Sequence, residues 1–231
     1  MFRESGGPRA AAFSYGVLAY LKRTEITKAN GERIRLLDTV GVITGVSGGS
    51  FTALAYGLYG DKLFSEYEQR FLKRDVQGEL IARLFSPPNW GSLTFTDWGR
   101  SEMAADLYDE ILFNGATFAD LDRNKRVLIM ASATDVSTGA RLVFDQEQFD
   151  ALCSDVDAVR LSRAAAASSA VPLALSPVTI NNYGGTCNTK FPEWVKLFTD
   201  SDNPPRPAAR ASTHSRSATR LSQGTSQGPV A

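Results

Sequence analysis

The sequence predicts an α/β fold, because segments with helical periodicity alternate along the chain with short apolar strands. Two observations support this prediction. The apolar run at residues 40–43 leads through 45–50 into the helix-like stretch 51–56, which gives a strand, a sharp turn and a helix in succession. A second apolar run, at 126–133, is followed by a helical stretch at 159–170 and by a further strand. These strands are expected to form one sheet with helices packed against it.

Apolar spacing and turn residues place the individual elements. Phe64, Tyr67 and Phe71 repeat at the spacing of one helix face, and residues 137–139 mark a hairpin between two strands. Pro172 ends a helix. In chain order we predict helix 9–22, strand 39–44, helix 49–60, helices 63–74 and 100–113, strands 126–133 and 141–144, helix 159–170 and strand 173–180.

A G-x-S-x-G motif follows the first strand and consists of Gly45, Val46, Ser47, Gly48 and Gly49. Between a strand and a helix, this pattern is typical of a nucleophile elbow. The glycines are needed because larger side chains two residues before or after the serine would collide with neighbouring backbone. The motif predicts Ser47 as a nucleophile and the Gly48 amide, at a helix start, as a donor to an oxyanion. The alternative is a Gly/Ser turn that only caps a helix.

A serine nucleophile needs a base, and histidine is its commonest partner. The chain has one histidine, His214, in a stretch without apolar periodicity or aromatic residues. Such a stretch is expected to be disordered, and a disordered segment does not hold a base within hydrogen-bond reach. A triad through His214 is therefore disfavoured, which leaves a serine hydrolase that uses an aspartate directly.

The amino-terminal residues Ser5, Gly6, Gly7, Pro8 and Arg9 precede a helix. With the elbow some forty residues later, this stretch resembles the patatin-like phospholipase family, whose oxyanion loop has the pattern G-G-G-x-R-[GA]. The resemblance implies a three-layer α/β fold with a central, mainly parallel sheet flanked by helices. It also implies a Ser-Asp dyad and oxyanion donors at Gly6 and Gly7. Arg9 either pairs with an anionic group near the site or is a solvated residue at a helix start.

The resemblance extends from about residue 5 to about residue 211, and it is closest to bacterial members of the family. The segments that carry it, besides the elbow helix, are 131–139 with 143–144, 166–172, 175–178 and 181–185. None of them is a catalytic motif, so they support the fold rather than the activity.

The second catalytic element of the family, an Asp-Gly-Gly or Asp-Gly-Ala triplet, has no counterpart here, because the sequence contains no Asp-Gly pair. Tyr183 stands where the aspartate would precede two glycines, and a phenol with a pKa near 10 is a poor base at neutral pH. Asp135 is interpreted as a structural residue that shapes a turn. The missing triplet and the few residues before Ser5 indicate a chain truncated or frame-shifted at both ends, with a reduced first strand and poor solubility.

Length permits one or two domains. Because the resemblance spans a single unit, it implies one domain at 1–207 followed by a disordered tail at 208–231, with a boundary in the proline-rich stretch 203–207. Lys plus Arg and Asp plus Glu each number 25, which argues against a nucleic-acid partner. No apolar stretch is long enough to span a membrane, and no signal peptide is recognised, although one could lie upstream; the compartment stays open.

The two cysteines, Cys153 and Cys187, both lie in loop-like sequence. Such a pair is compatible with a disulfide in an oxidising compartment and with two free thiols in a cytoplasm. No CxxC motif or His-Cys cluster is present, so no metal site is predicted.

The sequence thus predicts a serine acyl hydrolase that cleaves ester-linked acyl groups of lipids, possibly at a membrane surface, through a Ser-Asp dyad and an acyl-enzyme, with the aspartate missing from this chain. No cofactor is expected. The alternative is a non-catalytic product that retains only the scaffold. Head group, acyl-chain length and oligomeric state do not follow from the sequence.

Overall fold

The computed structural model describes residues 6–86, 100–121, 127–136, 139–170, 177–183, 186–187 and 218–222, and the account below concerns these residues. Helices and strands are mixed along the chain, which confirms the α/β class. The helices are α1 Gly6–Arg23, α2 Gly48–Tyr59, α3 Leu63–Tyr67, α4 Val76–Leu84, α5 Arg100–Tyr108, α6 Gln146–Ala151 and α7 Leu161–Ser169. The strands are β1 Glu25–Thr27, β2 Arg33–Arg35, β3 Val42–Val46, β4 Leu128–Asp135, β5 Arg141–Val143, β6 Val178–Asn181 and β7 Ala218–Ser222.

The main sheet is mixed. Strands β3 and β4 are parallel, with Val46 opposite Ser132, as the strand-turn-helix unit requires. Strand β4 pairs antiparallel with β5 and β7, and β6 pairs antiparallel with β7. The described part of the sheet is therefore less parallel than the family resemblance implies. The predicted hairpin accounts for the β4–β5 pair, because the short connection from Asp135 to Arg141 joins antiparallel strands. The two antiparallel pairs with β7 are not predicted from the sequence.

Strand β7 lies in the segment that the sequence predicts to be without strands. Ala218–Ser222 pairs with β6 along four residues, from Asn181 to Val178, and with the end of β4 at Thr134 and Asp135. The expectation of a structureless segment is wrong for these five residues, because main-chain pairing with two neighbouring strands does not require an apolar run of its own. The domain boundary near residue 207 stays a prediction.

The core lies on the side of the sheet that α2 and α7 cover. Helix α2 approaches β4 so closely that a Cβ at Gly57 would lie 2.7 Å from the Ile129 side chain. Helix α7 contributes four consecutive alanines, Ala164 to Ala167, that are completely buried. Small side chains let α7 pack tightly against α2, α5 and β4 at once.

The opposite side of β3 and β4 is more open. Val42, Val46 and Leu128 are 53%, 55% and 54% exposed, although such apolar residues are usually buried on a parallel strand. The fold is thus an incomplete form of the three-layer arrangement, in which helices cover the sheet on both sides.

Several element ends differ from the sequence-based prediction. Helix α1 begins at Gly6 rather than near residue 9, since Pro8 in the first turn needs no hydrogen-bond acceptor. Strand β3 begins at Val42, because Leu36–Thr39 forms a 3₁₀ turn that shortens it. The sequence also missed the β1–β2 hairpin and helices α4 and α6, whose residues are largely polar or exposed.

Cys153 and Cys187 form a disulfide, with their Cα atoms 5.7 Å apart. Of the two states that the sequence left open, the structure therefore has the bridged one. The bond joins the turn after α6 to the segment after β6. A backbone hydrogen bond of 2.9 Å from Tyr183 to Leu152 runs beside it.

Candidate active site

Ser47 occupies the single residue between the end of β3 and the start of α2. Its backbone has φ 54° and ψ −129°, a conformation with positive φ that residues other than glycine rarely adopt. The residue is 8% exposed. The chain thus has at Ser47 the abrupt strand-to-helix reversal that defines a nucleophile elbow.

The glycines of the motif are required by close backbone contacts. A Cβ at Gly45 would lie 2.6 Å from the Gly49 carbonyl oxygen and from main-chain atoms of Ser50. At Gly48 it would lie 1.8 Å from the carbonyl oxygen of Gly7. Gly49 has more room, because its nearest neighbour would be the Ser14 hydroxyl at 3.3 Å. Positions 45 and 48 therefore exclude any side chain, and position 49 only disfavours one.

The close contact between Gly7 and Gly48 shows that the first turn of α1 packs on the first turn of α2. The structure places Gly6 and Gly7 inside α1, not in a loop ahead of it. The first amides of a helix have no intrahelical acceptor, so the Gly6, Gly7 and Gly48 amides belong to two neighbouring helix starts. A helix start carries a partial positive charge, and the start of α2 directly follows Ser47.

A buried hydrogen-bond chain fixes the two helices relative to each other. The Thr52 hydroxyl on α2 donates to the Ala11 carbonyl on α1 at 3.0 Å, which leaves the Tyr67 hydroxyl to donate to Thr52 at 2.9 Å. Tyr67 is 2% exposed, and burial raises its pKa above the ordinary value. The phenol therefore stays neutral and available as a donor at physiological pH.

The sequence did not identify a second group of serines that surrounds the elbow. The backbone N–H of Ser47 donates to the Ser168 hydroxyl at 2.9 Å. Ser168 also bonds Ser50 at 2.7 Å and the carbonyl of Ser132 at 2.6 Å. In the sequence, the stretch 166–172 that contains Ser168 supports only the fold. The one sequence feature that indicates its burial is its place directly after the alanine run of α7.

Other candidates from the sequence lie in different positions. Asp135 ends β4, at the same sheet edge as Ser47 and three residues beyond Ser132. Its main-chain groups close the hairpin through bonds of 2.8 Å with Gly139 and Ala140. Tyr183 is 48% exposed and accepts a hydrogen bond from Asn181. The glycines after Tyr183, and His214, lie outside the described residues.

Among the described residues, no group of three or more His, Cys, Asp or Glu side chains is arranged to hold a metal ion. Within the same part of the chain, no helix combines the length and the apolar character needed to cross a bilayer.

Comparison with protein families finds a match to the patatin-like phospholipase family over residues 4–195. The chain belongs to this family. The match includes both helix starts, the elbow and α7. A comparison with individual curated proteins finds no match.

Membership confirms the resemblance inferred from the amino-terminal glycines and the elbow. It also supports lipid acyl hydrolysis as the general activity and lipids as the substrate class of this patatin-like phospholipase chain.

Proposed function

We propose that Ser47 is the nucleophile with which this chain attacks ester-linked acyl groups of lipids. The observation that carries the proposal is the left-handed backbone of Ser47 between β3 and α2. Strained backbone at a residue other than glycine costs about 1 to 3 kcal/mol and persists where the surrounding structure enforces it, most often at functional sites. In a patatin-like phospholipase chain, such strain at the serine of a G-x-S-x-G motif supports a role as the nucleophile.

The amides of Gly48, Gly6 and Gly7 are the proposed donors to the oxyanion. The Gly48 amide directly follows Ser47, so it lies beside any carbonyl that Ser47 attacks. The Gly7 carbonyl packs against Gly48, so the first turn of α1 lies beside the start of α2, which supports Gly6 and Gly7 as further donors. Donors that are fixed before the reaction need no rearrangement as charge develops on the oxygen, which is why such sites lower the barrier.

The proposed reaction has two stages. The Ser47 hydroxyl oxygen attacks the ester carbonyl carbon, its proton passes to a base, and the alcohol part of the lipid leaves. Water then hydrolyses the acyl-serine ester and restores the free hydroxyl. These steps require neither a metal ion nor an organic cofactor.

The base is the incomplete part of the proposal. A family-type dyad uses an aspartate from an Asp-Gly pair, and the sequence has no such pair. General-base help is typically worth about 10² to 10⁴ in rate, so we expect this chain to hydrolyse esters at a trace rate. Asp135 is proposed to be structural, because its backbone closes a hairpin.

The second candidate function is a non-catalytic scaffold. The missing Asp-Gly pair favours it over full activity. The nucleotide sequence after the codon of Ala211, translated in all three frames, would distinguish an altered hydrolase from a scaffold: a strand followed by Asp-Gly-Gly or Asp-Gly-Ala in another frame would indicate the former.

The partner proposed for the site is a lipid or another acyl ester, presented at a membrane surface. A nucleic acid is not proposed, since the 25 basic and 25 acidic residues leave no net positive charge to attract phosphates.

Labelling with a fluorophosphonate tests the nucleophile directly, because the probe bonds covalently to an activated serine. The folded protein is incubated with the probe, and the modified peptide is located by mass spectrometry. We expect the label on Ser47, its loss in Ser47→Ala and its retention in Ser65→Ala. Ser65 is a matched control, since its hydroxyl bonds only the Lys62 carbonyl nearby on the surface.

Hydrolysis of a short-chain p-nitrophenyl ester and of a phospholipid is measured on the same proteins. Label on a serine other than Ser47 would overturn the assignment of the nucleophile. No label on a folded protein would favour the scaffold. A fully active protein that loses its rate in Asp135→Asn would identify the base and refute the structural role of Asp135.

A further inference from the structure

Ser168 lies in the last turn of α7 and is completely buried. Its hydroxyl is the meeting point of three hydrogen bonds. It bonds the Ser47 amide at 2.9 Å, the Ser50 hydroxyl at 2.7 Å and the Ser132 carbonyl at 2.6 Å. One side chain therefore joins α7, the elbow, the first turn of α2 and strand β4.

The direction of each bond follows from the atoms involved. A carbonyl only accepts, so the single proton of Ser168 is donated to Ser132. The Ser47 amide only donates, and with the proton of Ser168 already used, the Ser50 hydroxyl must donate as well. Both lone pairs of the Ser168 oxygen are then occupied. A hydroxyl that has all of its hydrogen bonds has one orientation, because any rotation would leave a buried donor or acceptor without a partner.

The bond to Ser47 acts on the backbone at the strained residue itself. Val46 is held in register opposite Ser132, and Ser168 links the next amide along the chain to the carbonyl of that same Ser132. The elbow is therefore attached to β4 twice, once through the strand and once through Ser168. The second attachment opposes relaxation of φ at Ser47 toward negative values.

We propose that Ser168 is a positioning residue for Ser47. It fixes the peptide between Val46 and Ser47 and, through the next peptide, the Gly48 amide. The Ser47 hydroxyl and the Gly48 N–H are then held toward the same ester carbonyl. Ser168 acts through Ser47 and does not touch the substrate. This inference rests on the proposed function, in which Ser47 is the nucleophile.

The test compares three alanine variants of the full chain. Ser168→Ala removes the hydroxyl under study. Ser169→Ala is the matched control, since the neighbouring hydroxyl bonds the Ala165 and Ala166 carbonyls of its own helix and the Tyr108 phenol rather than the elbow. Ser50→Ala removes one donor to Ser168 but leaves the bond between Ser168 and the Ser47 amide in place.

Two measurements are made on each variant: hydrogen exchange of the Ser47 amide by NMR, and the rate at which a fluorophosphonate labels Ser47. In Ser168→Ala we expect exchange of the Ser47 amide to become about tenfold faster or more, and labelling of Ser47 to become about tenfold slower or more. A tenfold change is the effect of losing the one buried hydrogen bond that the Ser47 amide makes. In Ser169→Ala both rates should stay within about twofold of the unchanged protein. Ser50→Ala should change the labelling rate less than Ser168→Ala does.

The outcomes separate the two proposals. Failure of the unchanged, folded protein to label at Ser47 refutes the proposed function, and the positioning role falls with it. Normal labelling that persists in Ser168→Ala refutes the positioning role alone. Faster exchange with unchanged labelling would show that the bond exists but does not orient the nucleophile.

A general loss of structure in Ser168→Ala is distinguished with Ser168→Thr, which keeps the hydroxyl oxygen. There we expect Ser47 exchange and labelling to lie closer to the unchanged protein than to the alanine variant. A threonine variant that is folded and labels as slowly as Ser168→Ala would overturn the proposal.

Discussion

The residues that flank α2 have nearly the same backbone conformation but different side chains. Ser47, before the helix, has φ 54° and ψ −129°, and Gly60, after it, has φ 56° and ψ −131°. Glycine adopts this conformation without strain, whereas serine does not. At the carboxyl end of α2 the fold therefore uses the residue that suits the backbone. At the amino end it keeps a strained serine, which is expected where the hydroxyl itself is needed.

The two ends of α2 also differ in how tightly their surroundings are packed. The amino end is filled by backbone from α1 and by the hydroxyl of Ser168. The carboxyl end borders a cavity of about 1020 Å³, whose walls include Gly41, Tyr56, Tyr59 and Phe144. The amino end is thus built to hold one arrangement, while the carboxyl end has room to adjust.

The largest expected difference comes from adding one methyl group at the amino end of α2 and one in the wall of the cavity beside its carboxyl end. Gly48→Ala would place a Cβ 1.8 Å from the Gly7 carbonyl oxygen, whereas Gly41→Ala meets nothing within 4 Å. We expect Gly48→Ala to lower the free energy of unfolding by about 3 kcal/mol or more, and Gly41→Ala to change it by less than about 0.5 kcal/mol. Urea unfolding measures both. Equal effects would show that the amino end is not tightly packed.

A second difference concerns alkaline pH. The ring of Tyr108 packs edge-to-face against Phe51 in the amino half of α2. Burial raises the pKa of the Tyr108 phenol to about 12. The folded state holds this phenol neutral, so its contribution is complete below the ordinary pKa of 10 and is lost as pH rises toward 12. Between pH 10 and pH 12 the unchanged protein should lose on the order of 3 kcal/mol of its free energy of unfolding through Tyr108. Tyr108→Phe has no phenol to ionise and should not show this loss. Chemical unfolding at pH 9, 10.5 and 12 tests the sign.

At Gly60, adding a Cβ should introduce the same backbone strain that Ser47 already has. Gly60→Ala puts a Cβ on a backbone at φ 56°, where L-residues are strained, and should lower the free energy of unfolding by about 1 to 3 kcal/mol. Calorimetry at neutral pH measures the change. No loss would mean that the turn after α2 relaxes easily, and that the similarity to Ser47 carries no energetic meaning.

Relief of strain at Ser47 should have a smaller effect of opposite sign. Ser47→Gly permits the observed φ, while Ser47→Ala keeps a Cβ there, so we expect the glycine variant to be more stable than the alanine variant by about 1 kcal/mol. The two variants differ only in the methyl group, and thermal unfolding compares them directly. An alanine variant that is the more stable of the two would refute strain at the elbow.

The smallest effect is expected from a surface cluster at the carboxyl end. Arg35 binds Asp38 through two nitrogens, at 2.9 and 2.7 Å, and also pairs with Asp61. The guanidinium lowers the pKa of Asp38, so the pair stabilises the fold above the ordinary aspartate range and less so in acid. Arg35→Lys should cost less than about 1 kcal/mol, and 0.5 M salt should reduce the difference. A larger, salt-independent cost would indicate a buried pair.

The two ends of α2 also show how far the sequence predicts the site. The motif located Ser47, and the strand and helix on either side were found because their apolar periodicity is local. Ser168 was missed since its partner Ser47 lies 121 residues away, and a hydrogen bond over that distance leaves no pattern in either segment. Strand β7 was missed for a related reason, because its evidence is pairing with β4 and β6 rather than its own composition.

The disulfide makes redox conditions part of any experiment on this protein. Cys153 and Cys187 are 34 residues apart, and the covalent ring that they close contains α7 and therefore Ser168. Reduction opens the ring into a linear chain and releases one restraint on the segment that supports the elbow. Preparations from a reducing cytosol and from an oxidising secretory route are accordingly two different covalent molecules, and dithiothreitol in a storage buffer converts one into the other.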